Sequence, residues 1–98
     1  MTHRDRKLLD VAHDAPCMLQ LVNGCGNHPS VPCHSDMLEH GRGAGHKSHD
    51  ALAVAGCPAC HAVFTREKLG RDGYREAWIK AFQRYMVWLW TEGRVRVA

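Results

Sequence analysis

The chain has 98 residues and a formal net charge of +3, and 45% of its residues are hydrophobic. This length predicts one small domain over residues 1–98, with a core thin enough for a bound metal to add useful stability. The composition excludes a low-complexity or repeat protein, and no apolar run is long enough to span a bilayer.

The N-terminus favours a cytoplasmic protein. Residues 1–7 carry charges of both signs and no apolar segment follows them, which is not the pattern of a secretory signal peptide. In a reducing compartment, five cysteines fit metal ligation with one spare thiol better than a disulfide set. Eight histidines favour metal or proton-transfer chemistry, and the modest positive charge is compatible with a nucleic-acid partner without demanding one.

The N-terminal third is predicted to hold short elements. Residues 1–16 form an arm or a short helix, with helical spacing from Arg4 to Ala12. Residues 17–22 are predicted to be a strand, and Asn23-Gly24 is a strong turn signal.

A second group of short elements is predicted in the middle of the chain. Residues 30–34 are extended, and residues 35–50, rich in glycine and histidine, form a polar loop. Residues 51–55 return as a strand. A helix follows over residues 58–68, with Pro58 as its first residue because proline lacks only an N–H that is unused there.

The C-terminal helix is the clearest prediction. It is expected over residues 72–93 after a break at residues 70–73, with Asp72 as N-cap and Gly93 as C-cap. Residues 94–97 are predicted to be an edge strand. The helical positions expected to face the core are Tyr74, Trp78, Ala81, Phe82, Tyr85 and Leu89. The residues that widen this apolar surface, and make the helix a candidate homodimer contact, are Met86, Val87, Trp88 and Trp90.

Four cysteines form two pairs on predicted turns, Cys17 with Cys25 and Cys57 with Cys60. Together they supply four thiolates for one tetrahedral Zn²⁺ ion, the composition of a closed structural site. Such a site would join the N-terminal turn to the strand–helix joint and so stabilise a small domain. Free buried thiols and a redox-active C-x-x-C pair are the alternatives, and the spacing of the first pair is wider than usual.

The segment from Cys57 to His61 also matches the attachment site of c-type haem, Cys-x-x-Cys-His. That alternative uses both thiols covalently, with His61 as axial ligand and Met86 opposite. It requires export to an oxidising compartment and leaves the N-terminal cysteine pair without a role.

Three further side chains are candidates for a second, catalytic site. If the segment at His34 pairs with the strand near residue 52 and the next helix packs on both, then His34, Asp50 and His61 converge. In this arrangement His61 binds a divalent ion, and His34 removes a proton from the water that attacks a phosphodiester. The alternative is that all three are surface residues of a flexible loop.

The order of these residues resembles a known family. The matching residues and motifs are Cys17, Cys25, Val31-Pro-Cys-His34, Gly45-x-Lys47-x-x-Asp50, Cys57-x-x-Cys60-His61, Tyr74 and Trp88…Glu92-Gly93. This order is similar to that of the YbcO-like prophage proteins of the HNH (ββα-metal) nuclease superfamily. It also resembles the catalytic domain of the phage RecA-dependent nuclease Ref. The resemblance runs from about Cys17 to the C-terminus.

The resemblance implies an α+β fold, with a zinc-stapled ββα core over residues 17–68 and a long C-terminal amphipathic helix. It implies a phage or prophage DNA endonuclease in which His34 activates water and His61 binds Mg²⁺ or another divalent ion. Asp50 occupies the area of the middle asparagine of HNH proteins, and the two cysteine pairs match the zinc ligands.

One position departs from the family pattern. Many HNH enzymes carry a metal-binding aspartate just before the catalytic histidine, where this chain has Cys33, so the second ligand falls to Asp50, His49 or His34. The alternative from another class is a zinc-stapled nucleic-acid-binding module without catalysis. Its expected phosphate contacts are Arg42, Lys47, Arg66, Lys68 and Arg71.

Overall fold

The computed structural model describes residues 6–25, 29–35 and 52–95. These residues form a small mixed α+β fold with a two-stranded sheet and a long C-terminal helix. In chain order the elements are α1 (Arg6–Val11), a 3-10 turn (Ala12–Asp14), β1 (Val31–His34), β2 (Ala53–Gly56), α2 (Pro58–Val63) and α3 (Arg66–Thr91). The predicted loop over residues 35–50 lies outside the described residues, except for Ser35.

Strands β1 and β2 pair antiparallel, with Cys33 opposite Val54 and His34 opposite Ala53. Both predicted extended segments are therefore confirmed. All four residues of β2 are buried, because α3 and the N-terminal segment both contact this strand. Helix α3 and the N-terminal segment therefore pack against the sheet.

Helix α2 begins where the proline predicts. Cys57 is the N-cap and Pro58 the first helical residue. The predicted end at residue 68 is wrong, because α2 ends at Val63 and Phe64 leaves the helical region with φ −81° and ψ 72°. Thr65 then caps α3 by accepting a hydrogen bond from the Lys68 N–H at 3.1 Å.

Helix α3 therefore starts at Arg66, not after Asp72 as the sequence predicts. The predicted break corresponds to a kink, since Gly70 has φ 74° and ψ 168° inside the helix. Only glycine adopts this backbone without strain. The helix continues on both sides of the kink, so a glycine that indicates an end marks a change of direction here.

The C-terminal end of α3 is closed by paired backbone hydrogen bonds. The Gly93 N–H donates to the Trp90 carbonyl at 3.3 Å, and the Arg94 N–H donates to the Leu89 carbonyl at 2.9 Å. Gly93 has φ 67°, so this is the Schellman arrangement that favours glycine after a helix. The predicted cap is confirmed, whereas residues 94 and 95 form no strand.

One face of α3 supplies much of the core, as predicted. Its buried residues are Tyr74, Trp78, Ala81, Tyr85 and Leu89. Of the residues expected to widen the apolar surface, Met86 and Trp88 are partly buried against the core, while Val87 and Trp90 are exposed. Within the described part of the chain, no helix is both long and apolar enough to cross a membrane.

The strand predicted over residues 17–22 is wrong. These residues form bends, and Gln20 has a positive φ of 51°. One sheet-like hydrogen bond survives, from the Met18 N–H to the Ala55 carbonyl at 2.8 Å. The N–H groups of Gln20 and Leu21 instead donate to cysteine sulfurs, so the segment cannot continue as a strand. The short N-terminal helix, in contrast, is present as α1.

Candidate metal centre

Four cysteines from two distant segments meet beside the sheet. The Sγ atoms of Cys17, Cys25, Cys57 and Cys60 all lie within 4.8 Å of one another. A tetrahedral Zn²⁺ ion with Zn–S bonds of about 2.3 Å places its sulfurs about 3.8 Å apart. The four sulfurs are thus close enough to hold a metal ion such as zinc after a small contraction, and the predicted convergence of the two pairs is confirmed.

The second pair is positioned by the start of α2. Cys57 is the N-cap, and its sulfur accepts a hydrogen bond from the Cys60 N–H at 3.4 Å. Cys60 lies in the first turn and is fully buried. The first turn of α2 therefore places both sulfurs on the same side of the helix start, where one ion can reach them.

The first pair sits on an irregular turn that the sulfurs themselves stabilise. The Gln20 N–H donates to the Cys17 sulfur at 3.5 Å, and the Leu21 N–H donates to the Cys60 sulfur at 3.2 Å. The positive φ of Gln20 turns the backbone. Hydrogen bonds of this kind orient and stabilise metal-bound sulfurs.

Sequence reasoning missed these backbone donors. A glycine or asparagine at position 20 would have suggested a left-handed turn, but glutamine gives no such signal. Cys25 follows a turn that the sequence does show, since Gly24 has φ 75° and the Cys25 N–H donates to the Val22 carbonyl at 3.3 Å.

Burial favours the protonated form of two thiols of this cluster, Cys25 and Cys60, when no cation is bound. Burial raises the pKa of Cys60 to about 12, and it also raises the pKa of Cys25. The sulfurs of Cys17 and Cys57 add to both pKa shifts, because several thiolates cannot share one pocket without a counter-charge. A divalent cation supplies that charge, so metal binding must release protons from the cluster.

The fifth cysteine is the spare one. Cys33 lies in β1, is fully buried, and its thiol donates to the Val31 carbonyl at 3.5 Å. Burial raises its pKa to about 12. Cys33 is not among the sulfurs that converge, so it packs behind the cluster as a small apolar residue.

Two contacts seat the N-terminal turn on the rest of the fold. A Cβ atom on Gly56 would lie 2.5 Å from Cδ1 of Leu19, so the Leu19 side chain fills the space that this glycine leaves. On the other side, Nη1 of Arg84 in α3 donates to the Met18 carbonyl at 2.7 Å. The turn that carries Cys17 is therefore held by β2 and α3 as well as by the sulfurs.

Of the three predicted catalytic residues, the structure describes two, His34 and His61. His34 is the last residue of β1 and half-buried, and His61 is exposed on α2. Helix α2 contacts β1. Helix α2 follows Gly56, which pairs with Val31 at the opposite end of β1 from His34. The start of the helix is therefore about 10 Å along the strand from His34. Asp50 lies outside the described residues, and the convergence of the three on one ion stays a prediction.

The convergence of Cys57 and Cys60 with the N-terminal cysteine pair favours one shared metal ion over the haem alternative, which uses only Cys57 and Cys60. Of the expected phosphate contacts, Arg66, Lys68 and Arg71 are exposed at the start of α3. The other two, Arg42 and Lys47, lie outside the described residues.

No protein-family model, curated protein or solved structure matches the chain.

Proposed function

We propose that this protein is a metal-dependent DNA endonuclease of the HNH (ββα-metal) type, built on a structural zinc centre. The observation that carries the proposal is the element order around the cysteine cluster: an antiparallel strand pair followed directly by a short helix. The first strand ends on His34 and the helix contains His61, the two positions that the resemblance assigns to catalysis.

In this proposal the two ions have different roles. Zinc on the four cysteines fixes the N-terminal turn against α2 and takes no part in the reaction. His34 accepts a proton from water, and His61 helps to hold the second divalent ion, which stabilises the developing charge on the phosphodiester. The exposed Arg66, Lys68 and Arg71 would contact phosphates flanking the scissile bond.

A plasmid nicking assay with Mg²⁺ or Mn²⁺ tests the proposal. Wild type should convert supercoiled DNA to open circles, and His34→Ala should lower the rate by about 100-fold or more, since it removes the general base. His13→Ala is the matched control, because His13 is an exposed histidine that is not among the predicted catalytic residues, and its Nδ1 contacts the Ser30 carbonyl at 2.9 Å. Equal nicking by wild type and His34→Ala would remove the enzymatic assignment.

A second function is favoured by the exposure of His61, which leaves the cysteine cluster as the better-defined site. In this alternative the zinc centre supports a nucleic-acid-binding module without catalysis. Binding then persists in His34→Ala and weakens steeply with salt, because phosphate contacts release counterions. Binding with a flat salt dependence would count against it.

We also propose that two copies associate through α3. The described large hydrophobic residues that are exposed are Ile79, Val87 and Trp90, at 40%, 65% and 51%, and all three lie on this helix. In an antiparallel pair centred on Gln83, Ile79 of one copy faces Val87 of the other, so apolar surface meets apolar surface. Sedimentation of wild type and Val87→Glu tests this, and a monomeric wild type would exclude it.

A further inference from the structure

The four sulfurs of the metal centre differ in how well the fold covers them. Cys17, Cys57 and Cys60 are 4%, 1% and 0% exposed, whereas Cys25 is only half-buried. Reagents that attack thiolates react according to thiolate character and access. When a metal keeps all four sulfurs deprotonated, their relative rates of reaction depend on access to solvent, which favours Cys25.

Hydrogen bonding sharpens the same contrast. The sulfurs of Cys17, Cys57 and Cys60 each accept a backbone N–H, from Gln20, Cys60 and Leu21 respectively. The residues that the structure describes supply no backbone donor of this kind to the Cys25 sulfur. An N–H donor withdraws electron density from a thiolate and lowers its nucleophilicity, so among the described contacts the three buried sulfurs have a protection that Cys25 does not share.

The position of Cys25 in the chain means that its release costs little structure. Cys57 and Cys60 belong to the first turn of α2, and Cys17 lies on the turn packed between β2 and α3. Cys25 instead follows the turn at Gly24 and belongs to no helix or strand. Detaching it breaks no strand pairing or helical hydrogen bond of the described fold.

We propose that Cys25 is a modification site at which electrophiles and peroxides attack the metal centre and release its ion. With hydrogen peroxide, the Cys25 thiolate attacks one oxygen, so an S–O bond forms, the O–O bond breaks and hydroxide leaves. A second ligand thiolate, within 4.8 Å, attacks the resulting sulfenic acid, so an S–S bond forms and a second hydroxide leaves. Two thiolates are oxidised, one peroxide is reduced, and two protons complete two waters.

The metal is lost because only two thiolates remain, too few for a closed tetrahedral site. The segment that carries Cys17 and Cys25 then loses its metal tie to α2 but keeps its contacts to β2 and α3. This inference rests on the zinc centre of the proposed function, not on the nuclease activity.

The test uses full-length wild-type protein after its zinc content has been measured as one ion per chain. It is treated with limiting N-ethylmaleimide, and separately with hydrogen peroxide. Peptide mass spectrometry identifies the modified cysteines while a chromogenic chelator records zinc release. We expect Cys25 to be modified about 10-fold or more faster than each other ligand, with zinc released at the same rate.

Two variants serve as controls. Cys33→Ser removes the spare thiol and should leave the labelling order and zinc release unchanged. Cys25→His keeps a zinc-binding side chain without a thiol, and peroxide should release its zinc about 10-fold more slowly. Should this variant bind no metal, the labelling order of the wild type decides alone.

The possible results distinguish the role of Cys25 from the proposed zinc centre on which it rests. A purified chain without zinc would overturn both the metal centre and the modification site. Equal labelling rates for the four cysteines of a zinc-loaded chain would mean that the whole cluster opens at once. That result would overturn only the role of Cys25. Nicking activity, present or absent, changes neither conclusion.

Discussion

Replacing Gly56 with alanine tests whether the packing behind the metal centre is as tight as the structure has it. The added Cβ would lie 2.5 Å from Cδ1 of Leu19 and 3.0 Å from the sulfur of Cys33. Both side chains are buried, and at least one of them must shift to admit the new atom. Overpacking a filled core costs about 1–3 kcal/mol, and we expect Gly56→Ala to lower the free energy of unfolding by that amount.

The matched control is the same substitution in α3. A Cβ on Gly73 would lie 3.5 Å from the Cβ of Leu69, an ordinary contact. Because alanine favours a helix over glycine, Gly73→Ala should stabilise the protein by about 0.5–1 kcal/mol. Urea unfolding of the metal-loaded protein measures both changes, and a slope of about 2 kcal/mol/M places the Gly56→Ala midpoint about 1 M below that of wild type.

The same variant should also weaken the metal centre. Leu19 directly precedes Gln20 and Leu21, whose N–H groups donate to the sulfurs of Cys17 and Cys60. A shift of Leu19 moves these donors, and such outer contacts are worth about 10-fold or more in metal affinity. An unchanged urea midpoint and unchanged zinc affinity for Gly56→Ala, beside a stabilised Gly73→Ala, would refute the reasoning.

Three further changes test other parts of the structure. Cys60→Ser should abolish stoichiometric zinc, whereas Cys33→Ser should keep it, as elemental analysis of the purified variants will show. Burial raises the pKa of Tyr85 to about 12, so stability that is complete below the ordinary value near 10 is lost as the pH rises towards 12. Tyr85→Phe should remove that alkaline loss in thermal melts and stabilise the protein by about 1 kcal/mol at neutral pH, because the described residues offer the buried hydroxyl no hydrogen-bond partner. Arg84→Ala should cost about 1–2 kcal/mol in urea unfolding by breaking the bond to the Met18 carbonyl, whereas Lys80→Ala, which breaks only an exposed pair with Glu76, should cost no more than about 0.5 kcal/mol.

The four cysteines of the cluster could be predicted because the spacing within each pair is a local feature of the sequence. The short spacing of Cys57 and Cys60, with Pro58 between them, indicates a helix start with two sulfurs on one turn, and the structure has this arrangement. The core face of α3 is equally local, since it follows from the helical spacing of its aromatic residues.

The errors arose where distant parts of the chain decide the backbone. The strand predicted over residues 17–22 is replaced by a turn because two of its N–H groups bind sulfurs, one of them 39 residues away. The end of α2 is set by Phe64, whose ring stacks on Tyr74 at 4.2 Å. Cys60 lies far outside any local window around residue 21, and Tyr74 belongs to the next helix, whose packing on Phe64 the local pattern does not reveal.

The separation of the two cysteine pairs has a consequence for how the protein is made. During translation the first pair is complete about 35 residues before Cys60 is added, which corresponds to roughly 2–7 seconds at ordinary elongation rates. Throughout that interval Cys17 and Cys25 lack at least one of the other two sulfurs of the cluster. Both thiols must therefore stay reduced until Cys57 and Cys60 have been made, because an early disulfide would leave the four-sulfur cluster incomplete.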